Sequence, residues 1–416
     1  MTIQSYQILQ RDNDNIARVQ LRNGRSVELP VGGPYMVDDA HDVYVGDLWI
    51  LAGQSNMEGV GNLIDVEQPS PFVHSYQSRE QWAIAEEPLH WLDESPYLIH
   101  HQLLYGRDVV PDELQPRDPL RSKGAGLGIS FGKALYSLTG VPIGLIPSAH
   151  GGTSLEQWNP RLRDQGGRSL YGATLQRFQH VGGKVAGILW YQGESEANPE
   201  LVARYPERMT ALVDAFRADF GQSNLPFYYV QIGRVINAES LGWVWNADGW
   251  NGIREKQRVW GMSSPNTEMV ASIDLELDDL IHIGTQGLKR LGKRLARVVA
   301  GQRTPAIVTA QVEDADTCIR LLFKNVQGSL QALGRPSGFT LRDAQGIEQP
   351  IIYKITLKDD TVLLHLTSNA LPPDTAVWYG WGLDPYCNIT DTSDAALPAF
   401  GPVPIKNREA AFYEGS

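Results

Sequence analysis

The chain has 416 residues, 42% of them hydrophobic and 20% charged, an ordinary globular composition with enough length for two or three cores. A net charge of −12 argues against nucleic acid or an anionic membrane surface as partner, and a neutral ligand such as a sugar fits it better. Two cysteines, Cys318 and Cys387, exclude a disulfide framework and a zinc site, while one bridge or two buried thiols both fit.

No basic segment followed by an apolar one opens the chain, and no long apolar run follows later. The expectation is a soluble protein, cytoplasmic, or secreted or periplasmic where a leader is removed ahead of residue 1. Residues 1–45 read as short strands, with Asn23-Gly24 marking a hairpin turn, and so form an N-terminal β extension.

Over 46–302 the pattern changes to apolar strands alternating with helices. "LWILAG", "IGLIPSA", "VAGILWYQ", "FYYVQIG" and "EMVASIDL" are the strands. Such alternation predicts an α/β fold with a mainly parallel sheet covered on both faces, whose ligands bind beyond the carboxyl ends of the strands. The last helix carries Leu288, Leu291, Leu295 and Val299 on one face and Lys and Arg on the other, with Thr285 as its expected start cap and Gly301 at its end. Residues 64–123 interrupt the alternation as an insertion, which either shapes a site or decorates the packing. From 303 to 405 short alternating segments predict an antiparallel, sandwich-like β domain, followed by a polar tail over 406–416.

Four segments end apolar strands in the same way: "GQSNMEG", "HGGTSLEQW", "WYQGESEA" and "DDLIH". A parallel sheet brings them to one edge, and together they hold a hydroxyl, an imidazole, carboxylates and glycine turns. Nucleophilic ester hydrolysis needs that set. Ser55 is either the nucleophile or a helix cap beside a turn. His282 lies after a strand and before a helix, with Asp279 three residues earlier as its orienting carboxylate and Asp278 as the competing one.

In order and approximate spacing the four blocks resemble the SGNH (GDSL-like) hydrolase superfamily, and more closely its sialate O-acetylesterase and carbohydrate acetylesterase branch. The resemblance covers residues 45 to 300, and "WYGWGLDPYCNI" in the C-terminal domain is similar to modules of that branch. It implies a flavodoxin-like three-layer α/β/α core and a serine esterase that removes O-acetyl groups from carbohydrate, such as sialic acid, xylan or xyloglucan. Carried onto this sequence, Ser55 is the nucleophile, His282 the base and Asp279 its partner. The Ser55 and Gly152 N–H groups, with the Gln192 side chain, form the oxyanion hole. The third block reads Gln-Gly-Glu where the superfamily offers Gly-x-Asn-Asp. Gln54, Glu194, Trp245 and Trp250 are the substrate-contact candidates; no metal or cofactor is needed, and no oligomeric state is implied.

Two other readings remain. "GESEA" imitates a nucleophile elbow, which would make Ser195 the nucleophile of an α/β-hydrolase, although Ala197 stands where the second glycine belongs. Alternatively, the tryptophan cluster of "WVWNADGW" would stack on pyranose rings in a non-catalytic sugar-binding protein.

Overall fold

The computed structural model describes residues 2–113, 117–313, 317–368 and 370–406; all but the first residue of the expected tail lies outside them. The central sheet is built from β1 (Ala40–Gly53), β2 (Val73–Tyr76), β3 (Trp82–Ile84), β4 (Ile143–Pro147), β5 (Gly187–Tyr191), β6 (Phe227–Gln231) and β7 (Thr267–Ala271). Its spatial order is β7-β6-β5-β1-β4-β2-β3. Every neighbouring pair is parallel except β2–β3. Helices around the sheet include α1 (Ser55–Glu58), α2 (Gly128–Thr139), α3 (Leu170–His180), α4 (Tyr205–Asp219), α5 (Ala247–Ser263) and α6 (Thr285–Val299).

The five apolar segments read from the sequence are β1, β4, β5, β6 and β7. Their side chains are buried because helices cover both faces, as in Leu48, Ile50 and Leu51 of β1, each 0% exposed. Burying one such side chain contributes about 1.5–3 kcal/mol. The sixth parallel strand, β2, was not expected, since it lies inside the insertion and reads "VHSY". Its histidine is satisfied internally, with His74 Nδ1 facing Tyr6 O at 2.5 Å and Nε2 facing Pro71 O at 3.1 Å, and all four residues are buried. The insertion is thus partly core and not a decoration.

β1 is fourteen residues long, and its two halves do different work. Residues Tyr44, Val45 and Gly46 pair with Ile8–Gln10, and Gly32–Val37 pairs on the same half. The second half lies between β4 and β5. Asn23-Gly24 does form the turn between the antiparallel strands Ile16–Gln20 and Ser26–Pro30, with Gly24 at φ +81°.

Helix α6 buries Leu288, Leu291 and Leu295 as its periodicity requires, but Gly284 and not Thr285 is its N-cap. Gly292 faces α2 so closely that a Cβ there would stand 2.4 Å from Leu127 O. Arg294, read as part of the charged face, is buried between Asp274 (2.7 Å) and Asp394 (3.1 Å). Asp394 belongs to the C-terminal domain, so this arginine fastens the two units together. Gln231 makes a second fastening, donating to Ala399 O and accepting from Ala399 N, both at 2.8 Å.

The C-terminal domain has its own apolar core, which includes Ile319, Leu321, Val362, Leu364 and Val377. Seven strands run in one hydrogen-bonded path, antiparallel as expected except where Ala306–Glu313 meets Phe400–Lys406 in parallel. Cys387 is buried within this domain, which pushes its thiol up to about 12.

Removing one member of a buried ion pair leaves the other uncompensated, at a cost of about 3–5 kcal/mol. Asp274→Ala is therefore expected to lower unfolding free energy by about that amount, read as an earlier denaturant midpoint.

Candidate active site

β1 ends at Gly53, whose φ of +130° and packing on Tyr191 O (2.2 Å from an added Cβ) leave no room for a side chain. The chain then turns at once into α1. Gln54 N–H donates to Tyr191 O (2.9 Å) and His150 N–H to Gly53 O (3.1 Å), so the ends of β1, β4 and β5 are tied into one edge. Ser55 begins α1, but Gln54 holds the cap position and no side chain caps the helix. The hydroxyl is therefore not spent on capping, and Ser55 is 8% exposed.

The glycine turn after β4 lies directly against this serine. A Cβ built on Gly151 would stand 3.4 Å from Ser55 Cβ. Gly151 N–H donates to Glu58 Oε2 at 2.6 Å, which fixes the turn. Gly152 follows at φ +68°, with open space where a Cβ would stand. Neither Gly152 N–H nor Ser55 N–H has a hydrogen-bond partner among the described residues. First-turn N–H groups of a helix lack intrahelical acceptors, so Ser55 N–H is free to serve an incoming anion.

His282 and Asp279 are brought together: Nδ1 lies 3.0 Å from Oδ1 and 2.9 Å from Oδ2. The same Oδ1 accepts the N–H groups of Ile281 (3.0 Å) and His282 (2.9 Å), so the turn shapes itself around the carboxylate. Burial pushes the Asp279 carboxyl upward, yet hydrogen bonds from Lys123 and His282 outweigh it and hold it well below the usual range. Asp278, the competing carboxylate, is taken by Asn62 N–H at 2.8 Å.

The histidine loop is held against the serine turn by Asn56. Its Oδ1 accepts Ile283 N–H (3.0 Å), and its Nδ2 donates to Ile281 O (3.4 Å), so one carboxamide grips both neighbours of His282. Among the described residues there is no hydrogen bond between Ser55 Oγ and His282. Such bonds often tighten only when substrate binds.

Four site expectations are corrected. Gln192 is fully buried, and its amide donates to Thr153 O (3.3 Å) and Glu196, so its hydrogens are not available as a third oxyanion donor. Trp250 is 0% exposed with its indole N–H on Gly233 O, which makes it core and not a sugar platform. Glu194 carries Asn56 Nδ2 (3.1 Å) from a buried position and so supports the site without facing substrate. Gln54, its amide nitrogen turned to Thr153 O and Glu194 Oε2 (both 3.2 Å), is likewise internal. Trp245 is half-buried against Trp250, while Trp243 is the ring left exposed, in a hairpin whose entry residue Ile236 bonds Leu280 O. Ser195 lies in a single 3-10 turn with its hydroxyl 3.4 Å from the Gln54 amide, without the long helix that a nucleophile elbow precedes.

Sequence reasoning missed Asn56, Glu58 and Lys123. Glu58 was accessible, because a short helix starting at Ser55 places the residue three positions on along the same face; Asn56 points away from the serine to partners distant in sequence. Burial pushes Glu58 and Glu194 both up to about 7. Under the glycine turn lie neutral imidazoles: His150 Nδ1 meets His100 Nδ1 at 2.8 Å, and His90 Nε2 accepts Ala149 N–H at 3.2 Å. Burial lowers His90 to about 3 and His150 to about 4.

The parallel sheet with its serine turn at the carboxyl edge, followed by a separate β domain, places the chain among the SGNH-fold carbohydrate esterases. It belongs to the carbohydrate esterase, sialic acid-specific acetylesterase family, whose profile matches residues 45–301. Human sialate O-acetylesterase is 29% identical over 280 residues, covering 56% of this chain and 49% of that protein. A probable carbohydrate esterase of Arabidopsis thaliana is 27% identical over 258 residues, covering 60% and 88%. The chain thus spans about half the length of the sialate O-acetylesterases it matches. A solved carbohydrate acetylesterase from Xanthomonas citri shares the fold over 95% of this chain and 97% of its own, with TM-score 0.67 at 22% identity. Among the described residues, no helix is long and apolar enough to cross a membrane.

Glu194 provides a pH test. Its folded-state value of about 7 lies above the ordinary 4.5, so the folded chain holds a proton that the unfolded chain releases between those values. Its contribution to stability is complete below about 4.5 and is lost as pH rises through about 7. Denaturant midpoints of the wild type, measured against Glu194→Gln, are expected to decline across that window.

Proposed function

We propose that this protein is an esterase that removes O-acetyl groups from carbohydrate, with Ser55 as nucleophile, His282 as general base and Asp279 as the carboxylate that orients it. The observation that carries the reading is the Asp279–His282 pair, held against the Ser55 turn by the Asn56 carboxamide. The family, and the sialate and carbohydrate esterases among its relatives, support the substrate class.

The chemistry follows from the groups present. Ser55 Oγ adds to the ester carbonyl while His282 Nε2 takes its proton, and the carbonyl oxygen becomes an oxyanion. Ser55 N–H and Gly152 N–H are the donors for that charge, and one such donor contributes about 3 kcal/mol to the transition state. Asp279 holds the imidazole with Nδ1–H towards it, which leaves Nε2 as the acceptor, and stabilises the imidazolium once formed. The imidazolium then gives its proton to the leaving sugar hydroxyl. Water, deprotonated by the same imidazole, releases acetate from the acyl-serine. The raised carboxyls of Glu58 and Glu194 suit this site, since two fully ionised carboxylates there would oppose the oxyanion.

Ser55→Ala is expected to reduce turnover of p-nitrophenyl acetate by roughly 10⁴-fold or more, while Ser195→Ala leaves it near the wild-type value. A serine-directed phosphonate should attach at Ser55, as read by peptide mass spectrometry. Acetate release across acetylated sialic acid, xylan and xyloglucan identifies the sugar; binding of these without acetate release would return the protein to the lectin reading.

A further inference from the structure

The ribbon formed by Gly61–Asn62 and Lys123–Ala125 crosses the back of the histidine loop. Asn62 N–H takes Asp278, and Lys123 Nζ lies 2.7 Å from Asp279 Oδ2. That oxygen is also the one nearer to His282 Nδ1, at 2.9 Å. A fixed cation therefore shares the very oxygen that orients the base. It comes from the last residue of the insertion, a segment outside all four sequence blocks.

We propose that Lys123 is a positioning residue that tunes the base: its ammonium draws on Asp279 and disfavours a second positive charge on His282, so the enzyme stays active at lower pH. This inference rests on the triad reading above. The direction is the same for both effects. A positive charge close to the imidazole opposes its protonation, and a carboxylate partly neutralised by lysine attracts the imidazolium less.

The other charged groups around the loop are already engaged. Asp278 accepts from Asn62 N–H, Glu276 pairs with Arg234, and Glu194 faces Asn56. Arg121 turns its Nε to Lys123 O (2.8 Å) and lies over the Trp91 ring. Glu58 accepts from Gly151 N–H on the serine side. Lys123 is thus the cation in direct contact with the acid. The pair is partly exposed, with 38% and 34% of the side chains accessible, so its effect is one of high dielectric and answers to salt.

The test is the pH dependence of kcat/KM for p-nitrophenyl acetate in wild type, Lys123→Met, Lys123→Gln and Lys123→Arg. In the Met and Gln variants the acid limb should move to higher pH by about half a unit at low salt, the size expected for one charge roughly 6 Å away in a watery setting. Lys123→Arg should keep the wild-type limb. At about 1 M salt the wild-type limb should move towards that of the neutral variants. A limb that stays in place in a folded neutral variant, or that moves equally in the Arg variant, overturns the proposal. If the neutral variants do not fold, an unmoved wild-type limb in high salt overturns it. Ser55→Ala is run alongside: loss of turnover there with an unmoved limb in Lys123→Met rejects the tuning role alone, whereas retained turnover rejects the triad itself.

Discussion

The carboxamide of Asn56 is the constraint on which the site depends. It sits one residue after the serine and reaches across more than two hundred residues of sequence to the backbone on both sides of His282. An amide has both a donor and an acceptor, so it can hold a carbonyl and an N–H at once, which fixes the loop in angle as well as distance. Its second hydrogen goes to Glu194, a buried carboxyl that has few other places to find a donor. Removing any member of this network leaves a buried polar group unpaired, at a cost of about 1–3 kcal/mol.

Around that clamp the protein keeps charge low. Glu58 and Glu194 lie above their ordinary range, and His90 and His150 lie below theirs, for the same reason: a charge taken out of water has to be paired or given up. Glu87 follows the same pattern, accepting Gly126 N–H and Leu89 N–H while burial pushes it up to about 7. The insertion supplies several of these groups. It is simultaneously a strand of the core, a floor beneath the glycine turn and a wall beside the acid.

Much of this was legible in the chain. Period and length identified β1, β4, β5, β6 and β7, because strands buried on both faces must be apolar throughout. The pairing of Asp279 with His282 followed from their spacing, since three residues suffice for a turn to fold a carboxylate back. What the sequence obscured has physical causes. β2 was hidden because His74 looks polar until the backbone carbonyls of Tyr6 and Pro71 that face its ring are known. Trp250 was misplaced because tryptophan is equally suited to a core and to a sugar face, and only burial separates the two. Gln192 was misassigned because an amide's donors are visible in sequence, but the acceptors that occupy them are not. Arg294 reads onto the charged face of its helix, and only its partners, Asp274 in the α/β core and Asp394 in the second domain, account for its burial.

The unbroken course of β1 has an implication for where this protein may be cut. The boundary at residue 45 suggested by family similarity falls in the middle of a continuous strand, at a position whose neighbours pair with the first ten residues of the chain. A recombinant fragment starting there would lose Val43 and Tyr44 outright, strip the strand partners from Val45 and Gly46, and uncover Val45, which is 0% exposed in the whole chain. The small amino-terminal cluster and the α/β core share this strand and are therefore expected to melt as one cooperative block, and trimming to the homologous segment would create a raw sheet margin prone to self-association.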